Sequence, residues 1–219
     1  MISYKKNSVF IIPVYNEEST ICSVVQKALI YSDVIVIDDC STDNTKKEIL
    51  KTSAIAIFKD QNIGYEKAIV EGLKKAISLG YTYAITLDGD GQLNPAYFEK
   101  FYSSIQNSEI VIGIRNSRPR HSEKIAGLIT FILFGIYDPF CGLKGYNLNT
   151  LKKVKNLYTT KSIGTELLLR LAKGKKRVKQ INIIVNERNG ESTFGKNSFA
   201  LNLSFLFHFT KTLITSKPI

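Results

Sequence analysis

Short β-branched and apolar runs recur along the first half of the chain, separated by stretches with helical spacing. Val9–Pro13, Val34–Asp38, Ala54–Phe58, Tyr83–Leu87 and Ile110–Ile114 read as strands. Between them, 18–30, 43–51, 65–79 and 95–106 carry the i, i+3, i+4 apolar pattern of helices packed on one side. Asp43 is placed to cap the second helix, and Asn94-Pro95 reads as an N-cap followed by proline at the first helical position. Strand–helix alternation at this spacing predicts an α/β fold with a mostly parallel sheet flanked by helices on both faces. The second half is less regular. It holds an uncharged apolar run at Ile125–Tyr137, a Pro/Gly-containing stretch at 138–146, a helix near 163–173, a strand near 178–185 and a polar loop at 186–197. An amphipathic helix over Phe199–Ile214 ends the chain.

The 219 residues suit one domain, or one domain with a short appendage. Charge alters that picture. Lys and Arg exceed Asp and Glu by 30 to 19, a net +11, but the excess is not spread evenly. Residues 1–143 hold 15 basic and 16 acidic side chains, and residues 144–219 hold 15 basic and 3 acidic. A basic last third suggests nucleic acid or an anionic membrane surface as partner. No helix-turn-helix or RNP-type aromatic motif supports nucleic acid. Cys22, Cys40 and Cys141 lack metal-ligand spacing and fit a reducing compartment. Acidic residues follow the first apolar run too soon for a signal peptide, and no run reaches the roughly 18 residues of a membrane span. The expected location is cytoplasmic, at the inner face of a membrane.

In a parallel sheet, ligands bind beyond the carboxyl ends of the strands. Three polar clusters stand at such ends: Pro13-Val14-Tyr15-Asn16-Glu17-Glu18, Asp38-Asp39 and Asp88-Gly89-Asp90-Gly91-Gln92. Asp88 and Asp90 either form an ordinary Asp-Gly turn or, being close enough to repel, hold a cation between them. Mg²⁺ or Mn²⁺ is the natural choice, since such hard ions take one or two carboxylates plus substrate phosphate oxygens. Gln92 is a further oxygen donor or water-orienting group. Asp38 and Asp39 are either turn and capping acids or ligands to a base or ribose. Neither GxGxxG nor GxxxxGK[ST] is present, which excludes a dinucleotide fingerprint and a P-loop.

IIPVYNEE, the strand-ending IDD, DGDGQ and DPFCGLKGY together resemble the family-2 glycosyltransferases of GT-A (Rossmann-like) fold. Within that family the resemblance is to the dolichol-phosphate mannosyltransferase-like branch, including polyprenyl-phosphate sugar transferases. It runs from about Val9 to Lys196. It implies a catalytic domain over 1–197, with a nucleotide-sugar half at 1–114 and an acceptor half at 115–197, followed by the helix within 198–219. Pro13, Tyr15, Glu17, Asp38, Asp39, Gly64, Lys67, Asp88 and Arg188 match nucleotide-binding positions. Asp88, Asp90 and Gln92 match the metal-binding segment. Arg115, in Gly113-Ile114-Arg115, matches an arginine that faces the acceptor phosphate. Asp138, Gly142 and Lys144 match the segment near the donor sugar. Glu166 matches an acidic residue over the active site. Arg188, Gly190 and Ser192 resemble the loop that closes over the pyrophosphate, with Thr193 where the family often has lysine and Lys196 just beyond. Ahead of the long apolar run, where lipid-phosphate members often have arginine, this chain has Glu123-Lys124.

The implied reaction is metal-dependent and inverting, from a UDP- or GDP-linked sugar to a polyprenyl phosphate or, alternatively, to a glycan hydroxyl. A phosphate acceptor would be positioned by Arg115 and Arg118, with Lys144 and Ser192 nearby. A hydroxyl acceptor needs a base, for which Glu166 and Asp138 are the candidates. Glu166 is equally readable as an exposed acid paired with Arg170 one turn on. The basic run Lys173–Lys179 and the two apolar segments suit either an anionic membrane, packing on the sheet, or a contact with a second copy or a membrane partner protein.

Overall fold

The computed structural model describes residues 7–117, 121–154, 157, 165–186 and 199–219. Seven strands form one sheet: β1 (Ser8–Val14), β2 (Asp33–Asp38), β3 (Ile55–Phe58), β4 (Tyr83–Thr86), β5 (Ile110–Arg115), β6 (Lys144–Asn147) and β7 (Val178–Ile183). Their order is β3-β2-β1-β4-β6-β5-β7. β1 pairs in parallel with β2 and β4, β2 with β3, and β5 with β7. The eight helices among the described residues are α1 (Ile21–Leu29), α2 (Thr45–Leu50), α3 (Tyr65–Ser78), α4 (Phe98–Ile105), α5 (His121–Phe134), α6 (Leu148–Leu151), α7 (Glu166–Lys173) and α8 (Phe199–Thr215).

Every residue of β1 is buried, as a strand covered on both faces requires. Phe10, Ile12 and Val14 point to one layer, with Val24 and Val25 of α1 and Phe98 and Phe101 of α4. Val9 and Ile11 point to the other, with Ala68 and Leu73 of α3 and Leu167 and Leu168 of α7. α5, α7 and α8 meet in a third, smaller core at Ala126, Leu169 and Phe209. α8 is thus docked on the domain, with Phe205 and Phe209 against Phe140.

All five strands predicted in the first half are present, within a residue or two at their ends. β6 is the main departure. It lies between β4 and β5 and is antiparallel to both, and it falls where only a Pro/Gly-containing stretch was expected. Lys-Gly-Tyr-Asn has no β-branched residue and is too short to show alternation, so its ladder bonds come from neighbours distant in sequence. Asp43 stabilises α2 from outside the helix. The N-cap is Asn44, and the Asp43 carboxylate accepts the Thr45 N–H at 2.9 Å. Asn94 caps a 3₁₀ turn at Pro95–Tyr97, and α4 follows. No helix among the described residues is long and apolar enough to cross a membrane.

Candidate active site

The sheet order sets the carboxyl ends of β2, β1 and β4 side by side. At the first two, the chain turns through left-handed backbone, at Asn16 (φ 55°) and Cys40 (φ 66°). Such conformations cost a non-glycine residue roughly 1 kcal/mol or more and persist only where surrounding bonds hold them. Here the two loops are fastened to each other. The Asn16 N–H donates to Ser41 Oγ (3.0 Å), Asn16 Oδ1 accepts the Thr42 N–H (2.8 Å), and the Glu17 N–H donates to Thr45 Oγ1 (2.8 Å). Asp38 and Asp39 are buried under this junction. Asp38 accepts the Ser41 N–H at 3.0 Å. Asp39 accepts the N–H groups of Ile63 (2.7 Å) and Gly64 (2.8 Å), one on each oxygen. Gly64 has φ 88°, a conformation open to glycine, and it starts α3. Asp39 therefore shapes the loop ahead of α3. Tyr15 stays exposed at the rim, and Lys67 is exposed one turn into α3. Pro13 is buried within β1, opposite Ile37.

β4 delivers Asp88 into this crevice, where Tyr65 Oη donates to Asp88 Oδ1 at 2.7 Å. Gly142 leaves room for the carboxylate, since a Cβ there would lie 2.0 Å from Asp88 Oδ2. Burial pushes the Asp88 carboxyl up and the Asp90 charge pushes it further, against the opposing pull of Tyr65, Lys144 and Arg115. Asp90 Oδ1 accepts the Gln92 N–H at 3.0 Å, which closes the Asp-Gly-Asp turn, and Thr20 Oγ1 donates to the Gly89 carbonyl at 2.8 Å. Gln92 is committed to the end of β7. Its Nε2 donates to the Asn186 carbonyl (3.4 Å), and its own carbonyl accepts the Asn186 N–H (2.9 Å). The described residues contain no group of three or more His, Cys, Asp or Glu that could hold a metal. Two adjacent carboxylates, one destabilised by burial and by its neighbour, fit a hard dication that takes its other oxygens from phosphate and water.

β5 and the segments that follow it contribute a buried ionic cluster. Arg115, ending β5, donates Nε to Asp138 Oδ2 (2.8 Å) and Nη2 to Asp138 Oδ1 (2.9 Å). Its backbone N–H adds a third bond to Asp138 (3.1 Å), and Nη2 also reaches Glu123 Oε2 (2.7 Å). The Asp138 side chain is wholly buried. Burial would raise its carboxyl, but the hydrogen bonds and charge of Arg115 outweigh that and hold it below the usual carboxylate range. A carboxylate so engaged is a weak proton acceptor, so the geometry argues against Asp138 as general base. Lys144, buried on β6, has its ammonium pushed down by burial, opposed by Cys141, Glu66, Asp88 and Asp138.

Glu166 begins α7, which leads into β7 and so runs against the parallel strands, with Glu166 toward their carboxyl ends. It is fully buried and stands 3.7 Å from Arg170. The expected pairing is present, but both partners are buried where an exposed pair was foreseen. Arg118, Arg188, Gly190, Ser192, Thr193 and Lys196 lie outside the described residues. Tyr65 and Glu123 are the contributors that sequence reasoning missed. Their partners are 23 and 8 residues away and only the fold joins them, though a tyrosine directly after Gly64 was a visible pointer.

Comparison with known proteins matches this architecture. The family model described as "Glycosyl transferase family 2" matches residues 9–166. The chain is 34% identical over 209 residues to the UDP-N-acetylglucosamine–dolichyl-phosphate N-acetylglucosaminyltransferase of Methanococcus voltae, covering 79% of this chain and 83% of that one. It is 25% identical over 206 residues to the undecaprenyl-phosphate mannosyltransferase of Micrococcus luteus, covering 83% and 85%. Among solved structures, glucosyl-3-phosphoglycerate synthase from Mycobacterium tuberculosis, in complex with Mn²⁺, UDP and phosphoglyceric acid, superposes with a TM-score of 0.74. That match has 17% identity over 97% of this chain and 80% of the other, a likeness of GT-A fold. With the strand-end crevice and its paired carboxylates in view, the chain belongs to glycosyl transferase family 2 and is a glycosyltransferase.

Proposed function

We propose that this enzyme transfers a sugar from a nucleoside-diphosphate sugar to a polyprenyl phosphate, with Mg²⁺ or Mn²⁺ held by Asp88 and Asp90. The observation that carries the reading is the position of these two carboxylates. They lie at the end of β4, beside the crevice edged by the ends of β1 and β2. The names of the Methanococcus and Micrococcus relatives support the acceptor, and the Mn²⁺ and UDP in the mycobacterial structure support the donor side. Tyr15, Glu17, Asp38, Asp39, Gly64 and Lys67 would line the nucleoside end. Asp39 does so through the loop it shapes.

In this reading a phosphate oxygen of the acceptor attacks the anomeric carbon, the bond to the nucleoside diphosphate breaks, and inversion follows. The metal, when bound, neutralises charge growing on the departing diphosphate. Tyr65 and Gly142 keep Asp88 in place for it. The acceptor is already an anion and needs no base. Arg115, with Arg118, would steady that anion. A hydroxyl-directed transferase is the second reading. The observation for it is that Arg115 is already paired with two carboxylates, while Glu166 is buried toward the same end of the sheet.

Thermal stabilisation tests the donor side. UDP or GDP should raise the melting temperature by several degrees with Mn²⁺ and by much less without it. No metal-dependent shift with UDP, GDP or CDP would sink the reading.

We further propose that the enzyme works docked on an anionic membrane surface. α5 exposes Ile125, Leu128, Phe131, Ile132 and Leu133, and the Tyr137 ring packs at a tilt against Phe131. α8, packed against α5, exposes Leu203, Phe207 and Ile214. Lys124 and Lys211 are exposed on these same two helices. Apolar side chains exposed on two packed helices, with lysines on both, suit lipid headgroups and the acyl boundary below them. Not all of the basic run is available for this. Lys173 Nζ donates to the Ser216 carbonyl at 2.7 Å, and Arg177 pairs with Glu109. Co-sedimentation should increase strongly when anionic lipid is added to neutral liposomes. Indifference to lipid charge would overturn this docking mode.

A further inference from the structure

The contacts of Arg115 conflict with its proposed task, and Glu123 is where the conflict lies. Asp138 and Glu123 together occupy Nε and Nη2 of the guanidinium. Among the described residues nothing bonds the Nη1 edge. One arginine with two carboxylates carries a local charge of about −1, which repels a phosphate. Lys144 offsets only part of this, since Asp88 also stands near it.

The two carboxylates are held differently. Asp138 makes three bonds to Arg115, one of them to the backbone N–H, and its side chain is wholly inaccessible. It belongs to the frame of β5. Glu123 makes one bond, from Nη2, and retains 10% of its side-chain accessibility. It sits in the first turn of α5, where a carboxylate is favoured by the helix dipole even without Arg115. Glu123 is therefore the exchangeable partner, and α5 is also the helix with the exposed apolar side.

We infer that Glu123 is a positioning residue that withholds Arg115 from anions, and that the phosphate of the lipid acceptor takes its place on Nη2. An acceptor oxygen would then use Nη2 together with the open Nη1 edge, a two-pronged contact of the kind arginine makes with phosphate. Glu123 sets how strongly the site binds a phosphate acceptor. This rests on the polyprenyl-phosphate reading above.

The test is steady-state kinetics with farnesyl phosphate as a short-chain acceptor. Glu123→Gln keeps an oxygen for Nη2 and removes the charge. The acceptor KM should fall about tenfold, as expected for removing one like charge at close range in a partly screened site, with the donor KM unmoved. Glu123→Ala should shift the acceptor KM the same way and guards against a peculiarity of the amide. A merely structural role could raise KM or lower the yield of folded enzyme, but would not tighten the acceptor alone. An acceptor KM that is unchanged or raised in both variants overturns the inference while leaving the acceptor reading intact. If neither wild type nor variants transfer to farnesyl phosphate, while the metal-dependent nucleotide shift is present, the acceptor reading fails and the inference with it.

Discussion

Asp90→Ala is expected to abolish sugar transfer, lowering kcat/KM by about a thousandfold or more while the fold survives. Asp90 is partly exposed in the Asp-Gly-Asp turn, where its Oδ1 accepts the Gln92 N–H two residues on, so truncating it removes no part of the apolar core. Asp88 cannot replace it. The Asp88 carboxyl is already pushed up by burial, and it is confined between Tyr65 Oη and the Gly142 backbone. If the proposed metal site is right, removing one of its two carboxylates would give up several kcal/mol of metal-assisted stabilisation of a leaving diphosphate, and about 4 kcal/mol is a thousandfold in rate. The measurement pairs initial-rate kinetics with circular dichroism and the Mn²⁺-dependent UDP melting shift. A folded variant that keeps the shift and turns over within tenfold of wild type would remove the metal-site argument.

Asp138→Ala is expected to act on stability before chemistry. It takes from Arg115 the carboxylate that holds its Nε, one Nη2 hydrogen and its backbone N–H. Breaking a buried, hydrogen-bonded ion pair from one side costs about 3 kcal/mol, because the remaining charge keeps its desolvation penalty without its partner. Glu123 tempers the loss without cancelling it. Urea denaturation near neutral pH should show that loss. The native carboxyl is held below its unfolded value by Arg115, so its contribution is complete above the ordinary carboxylate pKa of about 4. It is lost as pH falls through the lower native value, and wild type and variant should converge in acid. If Asp138 were instead the general base, the variant would keep its stability and lose kcat, and that pattern would refute the assignment made from the geometry.

Much of the architecture was legible because β-branched runs and helical spacing report burial directly. β1 through β5 read as strands because each is covered on at least one face by helices that follow in sequence, so pattern and fold agree. β6 did not read as a strand. It owes its conformation to β4 and β5, and in Lys144-Gly145-Tyr146-Asn147 only the tyrosine favours extended backbone. Its insertion brings a lysine to the strand end, since the register places Lys144 opposite Thr86, two residues before Asp88. The apolar run 125–137 could be seen as a segment that buries something. Which of its sides is covered and which is bare depends on α7 and α8.

The carboxylate pairs at the strand ends followed from spacing alone, because consecutive residues leaving one parallel strand must emerge at one end of the sheet. Their partners did not. Asp39 shapes the loop before α3, Gln92 ties down the end of β7, and Tyr65 fixes Asp88 across 23 residues. The basic excess of the last third was countable in the chain. In the fold, Lys173 is spent on the carbonyls that end α8, Arg177 pairs with Glu109 at the surface, and Arg115 is enclosed by acids. Sequence carries residue types and their local period, enough to identify the family and to set the acidic clusters at the strand ends. Which charge meets which is a matter of distances between segments far apart in the chain, and only tertiary packing sets those.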